Sequence, residues 1–230
     1  MEPLEVAVAF VGERFDLAEV AVMGGSSASG RRTATSDIDL LLIGPDAMYR
    51  DGRTSLAKSF AYGGEVIELF SYTDAGFEKW VTSDLATYRP VLLSMLLNGL
   101  PVRGGTHLES LRDRWRPVIE AGPVVTEHEL STRRYGVTDL LDDLRDARDP
   151  LEQRVTAGLL FEKTAELMLL ANGRWLATSK HLVRALRAWN SDRAESLAVP
   201  FLDLDFRAFA DQVEAELSLL GGRLQAGFVR

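Results

Sequence analysis

The chain has 230 residues, 46% hydrophobic and 26% charged, with a net charge of −8; it is long enough to bury a good core, suits two small domains, and has the composition of an ordinary globular protein. The absence of cysteine excludes disulfides and thiolate metal centres, and with only His107, His128 and His181 a histidine zinc site is disfavoured, which leaves oxygen-ligated Mg²⁺. The acidic balance argues against a broad nucleic-acid surface and for a small or cationic partner.

Residues 4–15 (LEVAVAFVGERF) predict an amphipathic helix, with a strand through Val6–Phe10 as the alternative. No apolar run approaches the ~20 residues of a membrane span. The N-terminus MEPLEVAVAF is acidic where a secretory leader is basic, so the cytoplasm is the expected location.

Strands are expected at 18–23 and 38–43, and the stretch they bound, Val22–Ile43 (VMGGSSASGRRTATSDIDLLLI), organises the chain. Gly24-Gly25 after an apolar run lets the backbone turn sharply and approach a ligand with no Cβ in the way. Ser26 and Ser27 follow with hydroxyls and N–H groups, and a short helix opening at Ser26 would aim those groups at an anion. Asp37 and Asp39, two apart at the head of a β-rich run, share one face of a strand. Adjacent carboxylates repel unless a cation lies between them, so the pair favours one or two Mg²⁺ ions shared with substrate phosphates.

Gly25 to Gly30 has P-loop spacing, but Arg31 and Arg32 stand where that motif needs Lys and Ser/Thr, and the P-loop reading fails. An ordinary Gly/Ser surface loop and a strand-capping aspartate explain either half of the stretch alone. The conjunction favours a phosphate site: ten residues between Ser26 and Asp37, Ser36 just before the first aspartate, and apolar strands on both sides.

Residues 44–53, with Pro45 and Gly52, read as a connection, and Gly63-Gly64 then introduces a further strand of the same sheet through Tyr72. Within it, Glu68 sits between Ile67 and Leu69, where a carboxylate is expensive to bury without a partner. Glu65 lies nearer the strand start on the opposite face. Residues 84–98 predict a helix with Pro90 early in it, and GLPVRGG (99–105) closes the segment, giving expected domains of 1–105 and 106–230.

The remainder predicts helices at 108–120, 127–147, 151–172, 180–190 and 206–220, with Thr126-x-x-Glu129 as a capping box and Asp149-Pro150 as a helix start. On 151–172, Glu162 and Glu166 fall on the stripe of Leu151, Val155, Leu159 and Leu169. There they either line a cleft or bridge to Arg133 or Arg134. Lys180, Arg184 and Arg187 recur on one side of 180–190, opposite Leu182, Leu186 and Trp189, as either a triphosphate-binding stripe or a solvated face. Asp139, Asp142, Asp143 and Asp146 would suit a polycationic acceptor, or form a solvated face balanced by Arg145 and Arg148.

Gly24-Gly25-Ser26 followed by Ser36-Asp37-Ile38-Asp39-Leu40 resembles the signature of the DNA polymerase β-type nucleotidyltransferase superfamily. Its smaller members include the aminoglycoside (kanamycin-type) and lincosamide nucleotidyltransferases. The resemblance covers about the first third of the chain. It implies an α+β fold: an N-terminal nucleotidyltransferase domain with a mixed β-sheet flanked by helices, then a C-terminal helical bundle that completes the cleft and binds the acceptor. It further implies Mg²⁺-dependent transfer of a nucleoside monophosphate from an NTP, ATP being expected, to a hydroxyl of a small molecule such as an aminoglycoside antibiotic, with release of pyrophosphate. Asp37 and Asp39 would hold metal, and Glu68 would be the third carboxylate, as ligand or base, with Glu65 as its alternative. Gly24, Gly25, Ser26 and Ser36 would hold the nucleotide phosphates. Lys180, in a string (Asn172-Gly173-Arg174-Trp175, then Ser179-Lys180) similar to one in helical domains of antibiotic nucleotidyltransferase-like proteins, would lie near them. Glu162 or Glu166 would serve the acceptor. The competing functions are an antitoxin-like binding module acting through a protein partner and a protein-nucleotidylating enzyme; the retained acidic pair speaks for a working site.

Overall fold

The structure is a computed structural model describing residues 2–28, 30–33 and 35–229. It divides into two units, Met1–Ala121 and Gly122–Arg230. No helix among the described residues is long and apolar enough to cross a membrane.

The first unit is built on a mixed five-stranded sheet. Helix α1 (Pro3–Arg14) opens it, its N-terminus closed by Glu2 and Glu5 in a reciprocal capping box. The strands are β1 (Val20–Met23), β2 (Ile38–Gly44), β3 (Ser55–Tyr62), β4 (Glu65–Thr73) and β5 (Leu100–Arg103), in the order β3-β4-β2-β1-β5. β2 and β4 run parallel and the other neighbours antiparallel. A single helical turn, α2 (Gly25–Ala28), follows β1 directly.

Period-two alternation splits the strand residues between two cores. Ile38, Leu40, Leu42, Ile67 and Leu69 pack with Val6, Phe10 and Val11 of α1. Leu41, Ile43 and Tyr72 pack on the other side with residues of α3 (Asp74–Ala86), α4 (Val91–Asn98) and α5 (Gly105–Ala121), among them Phe77, Val81, Leu93, Leu96 and Leu108. With side chains buried on both faces, each worth roughly 1.5–3 kcal/mol, the register of β2 has no room to slip.

The second unit is helical: α6 (Glu127–Asp146), α7 (Pro150–Ala171), α8 (Lys180–Trp189), α9 (Ser191–Leu202) and α10 (Phe206–Leu219). Thr126 caps α6 by accepting the Glu129 N–H at 3.1 Å, and Asp149 caps α7 through the Leu151 and Glu152 N–H groups at 2.8 and 3.0 Å. Phe161, Phe201 and Phe209 form an aromatic cluster with centroids 4.9 to 6.4 Å apart.

Several elements differ from expectation. β3 is an unforeseen edge strand: Leu56, Phe60 and Tyr62 face the α1 core, while Lys58, between them in the alternation, lies 5.0 Å over the Phe60 ring. Gly63 and Gly64, both at positive φ, form the two-residue turn joining β3 to β4. The helix expected at 84–98 is two helices, because the residue before Pro90 is driven out of helical conformation and Tyr88 sits at φ 60°. The Asp84 carboxylate accepts the Leu92 N–H at 3.0 Å and starts the second. β5 replaces an expected loop; its Pro101 is tolerated because the strand is at the sheet edge. α9 was unexpected. α5 lies in the first unit, so the division falls after it, at 121/122, rather than near 105; Leu108, Leu111, Trp115 and Ile119 carry it onto the sheet core.

Candidate active site

Three carboxylates meet at the head of β2. One carboxylate oxygen from each of Asp37, Asp39 and Glu68 lies within 4.8 Å of the others, and all three residues are half-buried. The parallel pairing of β2 with β4 sets Asp39 directly opposite Glu68. Both therefore project on the same side as Leu41, Phe70 and Tyr72, away from α1. Three hard oxygen donors, two on adjacent strands and one from the residue just ahead of β2, fit a divalent cation such as Mg²⁺, and their mutual repulsion without one is the physical reason to expect it.

The glycine turn sits against this cluster. The Gly24 N–H donates to the Asp39 carbonyl at 2.8 Å, so the turn is pinned to the head of β2. Gly25 adopts φ +64°, and a Cβ built there would lie 1.7 Å from Asp39 Oδ2. Only glycine lets the carboxylate and the turn occupy the same space. The Ser27 hydroxyl donates to the Asp37 carbonyl at 3.0 Å. Ser36, just ahead of Asp37, accepts the Thr33 N–H on its hydroxyl at 2.9 Å and returns its own N–H to the Thr33 carbonyl at 3.1 Å.

The Gly24 N–H is thus engaged with the Asp39 carbonyl, and the Ser36 hydroxyl closes its own turn with Thr33. Glu65, the alternative to Glu68, is ion-paired with Arg32 and lies outside the carboxylate cluster.

In the second unit, the stripe Leu151, Val155 and Leu159 is exposed, and the buried side of α7 is instead Ala157, Leu160, Ala165 and Met168. α7 has apolar residues on several sides, so a projection centred on its first half selects the wrong face. Glu162 is exposed beside Lys163 at 3.4 Å. Glu166 is 1% exposed and bridges Arg133 of α6 at 3.1 Å and Lys163 at 3.2 Å. Lys180 is exposed at the start of α8, after Ser179 at φ 52°. Sequence reasoning treated Arg32 only as a failed P-loop residue and did not foresee its bond to Glu65; no local pattern signals it.

The fold and site together define an α+β domain in which a cation-competent carboxylate triad gathers at the head of the central strands, beside a glycine turn. Residues 4–93 match the family described as nucleotidyltransferase domain. Among curated proteins none matches the chain. Among solved structures it is similar to a nucleotidyltransferase-like protein from Exiguobacterium sibiricum 255-15, at 12% identity and TM-score 0.49, over 94% of this chain and 74% of that one.

Proposed function

We propose that this chain transfers a nucleoside monophosphate from an NTP, ATP being expected, to a hydroxyl of a small molecule in a Mg²⁺-dependent reaction. The observation that carries the reading is the triad: Asp37, Asp39 and Glu68 converge within 4.8 Å beside the Gly24-Gly25 turn. Asp37 and Asp39, with Glu68 as third ligand or as base, would hold the cation, which when bound neutralises the triphosphate and the attacking oxygen.

The acceptor oxygen attacks the α-phosphorus as the bond to the β-phosphate oxygen breaks. Pyrophosphate leaves, and the acceptor's proton passes to Glu68 or to water. Ser26 and the backbone of the turn cradle the β- and γ-phosphates. Lys180 is the proposed counter-charge for the departing pyrophosphate. Of the two acceptor-side carboxylates, Glu162 is retained in that role and Glu166 is given a structural one, because Arg133 and Lys163 already hold it. An aminoglycoside-type, polycationic acceptor suits the net charge of −8.

The test incubates the protein with Mg²⁺, each labelled NTP and a panel of aminoglycosides, lincosamides and cell lysate, reading pyrophosphate release and labelled product. Asp37→Ala and Asp39→Ala are expected to abolish transfer while the fold stays intact or gains slightly from relief of the repelling pair. Full Mg²⁺-dependent turnover in both variants would overturn the assignment.

A further inference from the structure

Asp37 is the triad member that the sheet does not hold. The β2–β4 ladder begins with Ile38 opposite Ile67, so Asp39 and Glu68 are locked by strand pairing, while Asp37 stands one residue outside it. Its place depends on the loop that delivers it. In that loop the Arg32 guanidinium spans two partners at once. Nη2 donates to the carbonyl of Ser36, the residue before Asp37, at 3.3 Å, and the same group is ion-paired with Glu65 near the start of β4. Both side chains are only 26% exposed.

Glu65 is three residues ahead of Glu68 on the same strand and points to the other face. The brace therefore fastens the approach to Asp37 onto the strand that carries the third carboxylate. The Ser27 hydroxyl on the Asp37 carbonyl adds a second fastening from the glycine-turn side, and the Thr33–Ser36 turn holds the segment between.

Resting on the metal-site reading above, we infer that Arg32 and Glu65 are positioning residues for that site: they set Asp37 at the distance from Glu68 that the cation requires. The pair touches neither substrate nor cation. The sign of the Arg32 effect separates geometry from simple charge. Arg32 is a cation near three carboxylates, so removing it lowers electrostatic opposition to a metal ion and, through charge alone, tightens binding. A brace predicts the reverse.

The experiment measures Mn²⁺ binding to the full chain without nucleotide, by electron paramagnetic resonance of free Mn²⁺, alongside thermal melts. Arg32→Met and Glu65→Gln are expected to weaken Mn²⁺ on the order of tenfold, the scale at which loss of a group orienting a metal ligand acts. Arg32→Lys, which keeps the charge but not the planar guanidinium whose Nη2 meets both partners, should fall between. Ser27→Ala, a smaller change with little risk to folding, should weaken Mn²⁺ in the same direction. Mn²⁺ affinity equal to or tighter than wild type in a folded Arg32→Met protein overturns the brace. Should Arg32→Met fail to fold, unchanged affinity in both Arg32→Lys and Ser27→Ala overturns it equally. Asp39→Asn separates the two claims. If it loses Mn²⁺ while the brace variants do not, the brace alone is wrong; if it binds like wild type, the metal site falls and the brace with it.

Discussion

Replacing Gly25 by alanine places a methyl group where the Asp39 carboxylate now lies. The new carbon would stand 1.7 Å from Oδ2 and 2.8 Å from Cγ, whereas non-bonded heavy atoms settle at roughly 3.5 Å. The carboxylate must retreat by well over an ångström or the turn must open. An L-residue at φ +64° also costs about 1–2 kcal/mol, which a domain of this size registers as a few degrees of Tm. Activity suffers far more than stability, because misplacing a reacting group by about 1 Å costs on the order of a hundredfold. The control is Gly24→Ala, whose methyl meets only the side chain of Met95, at 3.1 Å from Cε, a flexible end able to yield. The assay pairs thermal melts of both variants with pyrophosphate release and Mn²⁺ titration. Near wild-type turnover in a folded Gly25→Ala protein would refute the claim that this glycine exists to make room for Asp39.

Removal of Glu166 leaves Arg133 and Lys163 without a carboxylate whose side chain is only 2% exposed. Glu166→Ala should therefore cost about 3 kcal/mol, the low end for a broken buried pair, since Arg133 keeps Glu129 at 2.8 Å. Arg187→Ala, which breaks an exposed pair with Glu195, should cost under about 1 kcal/mol; urea midpoints compare the two, and equal shifts would contradict the assignment of burial. Burial, reinforced by Asp84 and Tyr49, pushes the Tyr72 phenol up from 10.0 to about 12. A group raised on folding stabilises below its unfolded pKa and loses that contribution as pH climbs through the folded one, so Tyr72 should withdraw stability between pH 10.0 and about 12. Tyr72→Phe should flatten that alkaline fall in Tm, and an unchanged slope would count against it.

What was legible in the chain was local. Gly24-Gly25-Ser26 and Asp37-Ile38-Asp39 announce themselves because turn, strand and charge occur within a few residues, and Glu68 stands out because a carboxylate interrupts an apolar run. The edge strands were harder to see. In β3 Leu56, Phe60 and Tyr62 pack inward, while the exposed Lys58 in their alternation, with Ala57 and Ser59 on the other face, dilutes the β signal; β5 carries a proline. The Gly63-Gly64 pair was in fact the hairpin signal for β3. The break between α3 and α4 follows from Pro90, which disfavours helical conformation at the residue before it. The Arg32–Glu65 bond, across 33 residues, has no periodicity to betray it. Choosing the buried side of α7 required knowing which neighbours cover a helix apolar on more than one side.

The parallel alignment of β2 and β4 carries a consequence for how this architecture tolerates change. Because Asp39 faces Glu68 through a ladder running to Gly44 and Thr73, the exposed residues 50–53 can lengthen or shorten at the surface without disturbing the acidic trio, in keeping with the slow growth of loop entropy with length. A single residue inserted between Glu65 and Glu68 is another matter. It would turn Glu68 toward Phe10 and send an isoleucine among the aspartates, so the outer connections can absorb changes of length while the inner rungs must keep an unbroken count.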